Sequence, residues 1–220
     1  MGIESAEGRT PPVQKLDSAF PGGDGERSVQ RRLDTTERAA RFYGKQVLDH
    51  LNTRMQAFVR QQEMFFVATA DRHGECDSSF RAGPLGFLFV AEKRTLLYPE
   101  YRGNGVFASL GNMQENSHVG LLLIDFERTR VGLHINGRAE ILQDTEARAQ
   151  WPDLSWEQRP GQQAQVWVKV SVQEAYIHCA KHIPPMKKIS LKEARALVGD
   201  DFRPRGGDFF GAAAEPAHRD

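Results

Sequence analysis

Between Met64 and His178 the chain sets apolar, strand-like runs at intervals too short for anything but hairpins. MFFVATA is followed by the polar turn ADRHGE, CDSSFRAGP leads into GFLFV, and AEKR turns into TLLYP. HVGLLLIDF and VGLHINGRAEIL are joined by ERTR, and QVWVKVSVQEAYIH comes last. Parallel neighbours need a crossover of a dozen or more residues, whereas antiparallel neighbours need only a turn. At least six such runs, with only one helix between consecutive strands, predict an antiparallel barrel or sandwich. In the last run Val166, Val168, Val170 and Val172 share one face, as in a half-buried strand. Trp167 falls on the alternate face and is expected at an interface.

Around this block the pattern changes. Asp34-Thr35-Thr36-Glu37 carries helix-capping residues. Phe42, Val47, Leu48, Leu51, Met55, Phe58 and Val59 then recur at helical spacing, with Gly44 expected to divide the segment into two core-facing helices. Residues 1–33, rich in Gly, Pro, Ser and charge, are expected to form a flexible arm. Residues 34–198 are expected to be one domain, and 199–220 a tail whose Phe202, Phe209 and Phe210 could dock. The polar stretch 144–163, with Trp151, Pro152 and Trp156, reads as a helix or loop excursion, and SLKEARAL as a short capped helix. A length of 220 residues is enough for one real core.

Charge and cysteine usage exclude several classes of function. The 29 basic and 29 acidic residues cancel, and no long basic run offers itself to nucleic acid. The two cysteines, Cys76 and Cys179, fit a reduced intracellular protein better than a disulfide scaffold. MGIESAEGRTPP lacks the apolar region of a signal peptide, and runs such as GLLLI are too short for a bilayer. The expectation is a soluble, cytoplasmic protein that partners neither nucleic acid nor membrane.

Thr95–Asp125 is the chemically suggestive stretch: an apolar strand, a Gly/Asn loop, a short helix and a second apolar strand. A helix start has N–H groups without intrahelical partners and a dipole that favours an anion, so this order of elements builds a phosphate cradle. Gly103-Asn104-Gly105-Val106-Phe107-Ala108 fits G-x-G-x-x-A, and Asp125 ends the next strand, superficially the dinucleotide fingerprint. Three features oppose that reading. Pro99-Glu100-Tyr101-Arg102 separates the strand from the first glycine, the helix is short for a crossover, and hairpins follow where a second β-α-β unit is required.

FFVATADRHGECDSSFRAGPLGF, TLLYPEYRGNG, SLGNMQENSHVGLLLIDF, LHINGRAEI and EAYIHCAKHIP, in this order and spacing, resemble the pyridoxamine 5′-phosphate oxidase-like flavoproteins over roughly Asp34–Pro185. The resemblance implies a six-stranded split β-barrel that dimerises and holds FMN at the dimer interface. It implies that Ser78, Ser79, Arg81, Ala82 and Gly83 approach the flavin, with Arg81 meeting the phosphate or the ring edge through charge-assisted hydrogen bonds. It further implies that Tyr98 and Pro99 lie beside the ring, and that Gly103, Asn104 and Gly105 form the phosphate loop, with Ser109 and Asn112 on the helix behind. Glycine suits a close approach of backbone to ligand, and Asn tolerates positive φ. The true oxidase has paired basic side chains in that loop; here only Arg102 precedes it. PMKKISLKEARAL also lacks the Trp and Arg pattern that closes over pyridoxal phosphate, which puts the pyridoxamine substrate in doubt.

His178-Cys179-Ala180-Lys181-His182 admits three readings. His178, Cys179 and His182, with Cys76, are zinc-type ligands, but no metal-site spacing supports them. The resemblance makes this segment the exit of the last strand, near the flavin of a neighbouring subunit, with Lys181 positioned to stabilise the charge of reduced flavin. The bland reading is a solvated strand end. His134 and Arg138 read as structural, and Asp71 and Asp77 as turn caps. The overall expectation is a homodimeric FMN oxidoreductase acting on a small molecule, with NAD(P)H as one electron source. The alternatives on the same fold are F420, whose acidic tail would want Lys181, Lys187, Lys188 and Arg102, or haem, or a flavin-binding stress protein without turnover.

Overall fold

The computed structural model describes residues 21–154, 163–201 and 207–214. Residues 1–20 of the arm expected over 1–33, Trp156 and Phe202 lie outside the described residues, while Asp24–Arg32 of that arm is helical. The helices are α1 (Asp24–Arg32), α2 (Thr36–Gln46), α3 (Thr53–Arg60), α4 (Ala108–Glu115), α5 (Asp144–Gln150) and α6 (Leu191–Val198). The strands are β1 (Met64–Ala70), β2 (Cys76–Ala82), β3 (Phe89–Glu92), β4 (Thr95–Tyr101), β5 (His118–Ile124), β6 (Gly132–Leu142) and β7 (Ala164–His178). They form one sheet in the order β2-β1-β5-β6-β7-β4-β3, with every pairing antiparallel. The sheet has seven strands rather than six, because Cys76–Ala82 and the short Phe89–Glu92 both pair. Antiparallel pairing throughout also removes the dinucleotide-fold alternative.

The helical segment does divide in two, but between Val47 and Asn52 and not at Gly44. Leu48 exchanges backbone hydrogen bonds with Ala175 of β7, at 3.0 and 2.7 Å. Asn52 then restarts the helix by accepting from the Met55 N–H at 3.0 Å. Pinned between these two contacts, Leu51 is fully buried. The bridge competes successfully with helix propensity because it buries an apolar side chain as well as pairing the backbone.

Two apolar cores lie on opposite faces of the sheet. The larger gathers Phe65, Val67, Leu96, Tyr98, Leu121, Leu123, Ile135, Val168 and Val170. In it Phe65 stacks on Phe87, and Tyr98 meets Phe65 edge-on with centroids 5.1 Å apart. The smaller joins Leu97, Ala147, Leu154 and Trp167. Trp167 is therefore a core residue of the chain itself and not an interface residue; its indole N–H donates to Asp144 Oδ1 at 2.8 Å. Strand β4 is buried on both faces, which a one-sided alternation does not anticipate. Strand β7 keeps Val168, Val170 and Val172 buried and Ser171 and Gln173 exposed, with Trp167 the buried exception on its outer face. At Gly137 the β6–β7 register shifts, and a Cβ there would stand 2.2 Å from Ser171 O. Only glycine allows that approach.

The sheet curls until its two ends meet. Strand β2 is one edge and β4 the penultimate strand at the other, yet Arg81 of β2 contacts Glu100 of β4 directly.

Candidate functional site

The loop after β4 leads into α4 through an unusual start. Gly105 has φ +86° and Phe107 has φ 53°, and no side chain caps the helix. Asn104 Oδ1 accepts from the Val106 N–H at 3.0 Å, which folds the loop without closing the helix end. Arg102, Gly103, Asn104 and Gly105 are all exposed, and a Cβ on Gly103 or Gly105 would meet open space. The first N–H groups of α4 thus stay available to an anion.

Side chains on the flank of α4 hold it against the sheet. Ser109, almost fully buried, donates to Asp77 Oδ2 at 2.9 Å and lies 3.2 Å from Ser79 Oγ. Ser79 donates to the same Asp77 oxygen at 2.8 Å. Asn112 donates to Thr69 Oγ1 of β1 at 3.1 Å. At the far end Glu115 receives Arg72 at 2.9 and 3.0 Å, which brings its carboxyl from the usual 4.5 down to about 2. Asp77 therefore serves the helix and not its own turn. Asp71 does cap that turn, accepting from His73 and Glu75 N–H groups at 2.8 and 2.9 Å.

Strand parity separates the expected residues. Ser79 and Arg81 turn toward β4 and α4, while Ser78 and Ala82 point outward and are exposed. Ser78 joins Phe66, Ala68, Gly120, Leu122 and His134 around an outward cavity of about 310 Å³. Tyr98 and Pro99 are both buried; Tyr98 faces the main core, so only the backbone of this pair lies near the sheet edge. Pro99 sits opposite Trp167, beyond the end of β3, where its missing N–H is not needed. Gly83 packs on Phe87 at the rim of a cavity of about 690 Å³ that also touches Ala82, Met64, Lys187 and Lys188.

Arg81 is strongly engaged. Its Nε donates to Glu100 Oε2 at 2.9 Å and its Nη1 to Phe80 O at 3.1 Å. The side chains are only 17% and 10% exposed. Burial pushes the Glu100 carboxyl up, against the opposing pull of Arg81. Tyr98 Oη, also buried, has no hydrogen-bond partner among the described residues, and burial pushes its pKa up as well. Asp77 and Glu100 were not among the residues expected at this site. The signal for Glu100 was present: a carboxylate at the inward parity of LLYPEY, in step with Leu96 and Tyr98.

Among the described residues Lys181 makes no hydrogen bond or ion pair to Arg81, Glu100 or the α4 loop; its backbone N–H meets Cys179 Sγ at 3.4 Å. Lys181 follows His178, which pairs with Gly132 at one end of the β5–β6 hairpin, whereas α4 delivers the chain to His118, paired with Arg138 at the other. The six residues from Gly132 to Arg138 span roughly 20 Å along the strand and separate His178 from the C-terminal end of α4. His178 meets His134 instead, with Nδ1 and Nε2 2.9 Å apart, and the His134 ring stacks on Tyr176 at 4.7 Å. Burial first, then the neighbouring His178, lowers the pKa of His134. Among the described residues no group of three or more His, Cys, Asp or Glu gathers at a metal-binding distance. Asp125 caps the turn after β5, accepting from Glu127, Arg128 and Thr129 N–H groups at 3.0 to 3.2 Å. Burial raises its pKa, and these bonds more than offset the rise. Among the described residues no helix is long and apolar enough to cross a membrane.

Comparison with known proteins adds one assignment. A family model described as pyridoxamine 5′-phosphate oxidase matches residues 51–179. No curated protein matches the sequence. Among solved structures, HupZ of Group A Streptococcus shares 17% identity over 62% of this chain and 99% of its own, with a TM-score of 0.44. General stress protein 26 of Bacillus anthracis shares 20% over 55% and 88%, at 0.39. An F420 reductase shares 14% over 55% and 94%, at 0.38. Likenesses this distant assign no ligand to the chain.

Proposed function

We propose, from the premise that this chain belongs to the pyridoxamine 5′-phosphate oxidase family, that it is an FMN-binding split-barrel oxidoreductase working as a homodimer. The observation that carries the reading is the open start of α4, anchored sideways to β2 through Ser109, Asp77 and Ser79. The phosphate of FMN fits that start: backbone N–H groups after Gly105 receive it, with Arg102 beside the loop. Ser79 and Arg81 on the inward side of β2 and the loop backbone would line the rest of the ligand. Bound there, the flavin would supply electron transfer between a reduced donor and a small-molecule acceptor. The chain's own residues bind, orient and screen it from water.

One observation supports a dimer. Phe66 and Phe80 stay 39% and 53% exposed on adjacent strands, with Leu122 beside them, an apolar face of the kind that subunits cover.

The test is direct. Purified protein should be yellow, bind FMN on titration, and run at twice the chain mass in gel filtration. Parallel titrations with F420 and haem separate the alternatives on this fold. A colourless protein that takes up no FMN overturns the reading. Bound flavin with no turnover of NADH or NADPH and an artificial acceptor leaves a binding protein and not an enzyme.

A further inference from the structure

Arg81 and Glu100 form a half-enclosed ion pair between strands that are not hydrogen-bonded neighbours. Of the guanidinium's three nitrogens, Nε is spent on Glu100 and Nη1 on Phe80 O. Nη2 has no acceptor among the described residues. The pair lies beside the buried, unpartnered Tyr98 Oη, in surroundings with little water to screen a charge. Two residues along β2 from Arg81, Ser79 contacts Ser109 in the first turn of α4, a separation of roughly 7 Å along the strand.

We propose that Glu100 is the positioning residue of this cofactor site: it aims the free nitrogen of Arg81 at the ligand while cancelling the charge of Arg81. The inference rests on the FMN reading above and deepens it. The cradle has two nearby cations, Arg81 and Arg102, and two carboxylates, Glu100 and Asp77, so its side chains sum to zero. The phosphate is then held chiefly by backbone N–H groups, and the flavin is a readily dissociable ligand. Glu100 trades affinity for aim.

Exchanging Glu100 for an uncharged acceptor separates the two effects. Glu100→Gln still accepts from Nε but leaves Arg81 with a net charge, so FMN should bind about tenfold tighter, with a steeper salt dependence. Riboflavin, which lacks the phosphate, should change by less than about threefold. Glu100→Leu frees the charge but loses the aim, and its gain for FMN should be smaller than that of Glu100→Gln. A purely structural Glu100 would produce neither the FMN–riboflavin contrast nor the difference between the variants. If Glu100→Leu does not fold, Glu100→Gln against wild type still decides. Equal or weaker FMN binding by a cooperatively melting Glu100→Gln, or an equal gain for riboflavin, overturns this inference alone. A wild type that takes up no FMN overturns the cofactor reading, and this inference with it.

Discussion

Helices α4 and α6 are each eight residues long and begin in opposite ways. At α6 the Ser190 hydroxyl accepts from the Glu193 N–H at 3.2 Å, and the Glu193 carboxylate accepts from the Ser190 N–H at 2.8 Å. That reciprocal box uses the donors which a helix start leaves over. At α4 the preceding residue is Phe107 in a left-handed conformation, with no side chain closing the end. Its stabilising contacts run sideways instead, from Ser109, Asn112 and Glu115 to β1, β2 and the turn between them. A helix that caps itself has spent its N–H groups. A helix held by its flank keeps them for a ligand.

The largest effect is expected where the open start depends on backbone shape. Gly105→Val forces a β-branched residue into positive φ, a strain of about 1–3 kcal/mol. FMN titration should show a loss of affinity of at least about tenfold if that strain displaces the loop. Unchanged FMN binding in this variant would mean that the loop shape does not matter. Next comes the flank. Ser109→Ala removes a buried hydroxyl and leaves Asp77 with Ser79 alone, for a loss of about 1 kcal/mol in urea unfolding. FMN affinity should fall with it, because the helix start is no longer fixed against β2.

The closed helix should respond differently. Ser190→Ala is expected to cost roughly 0.5–1 kcal/mol, seen as faster amide exchange in α6, with FMN binding unchanged. A change in FMN affinity there would erase the distinction between the two helices. The smallest effect is electrostatic. Glu115 titrates at about 2 in the folded chain against 4.5 ordinarily, because of the hydrogen bonds from Arg72. A depressed carboxyl contributes stability that is present above pH 4.5 and lost as pH falls toward 2. The difference in melting temperature between wild type and Glu115→Gln should therefore be small at neutral pH and vanish across that window.

Much of this comparison was legible in the chain and part of it was not. SLKEARAL carries its box within four consecutive residues, so the capped start of α6 could be read directly. The loop and short helix of α4 were equally visible as Gly-Asn-Gly before ASLGN. What could not be read was the partner of each polar group on its flank. Asp77 passes as a turn cap from its neighbours alone, because Ser109 is 32 positions away. Arg81 reads as an open cation until the sheet curls and brings Glu100 against it from 19 positions away. Trp167 looks polar-facing by alternation, since nothing local announces a second core under α5.

The sequence by itself determined what short-range physics decides. Hairpin spacing set antiparallel pairing, side-chain alternation set which residues share a face, and the ordered motifs within 51–179 set the family. Tertiary structure alone decided which faces meet. A strand's parity says that Glu100 points inward but not what stands opposite, and that depends on how far the sheet twists and closes. Charge and burial act through space and not along the chain. The available donors of α4 belong to the local sequence, and the neutral cradle that borders them belongs to the fold.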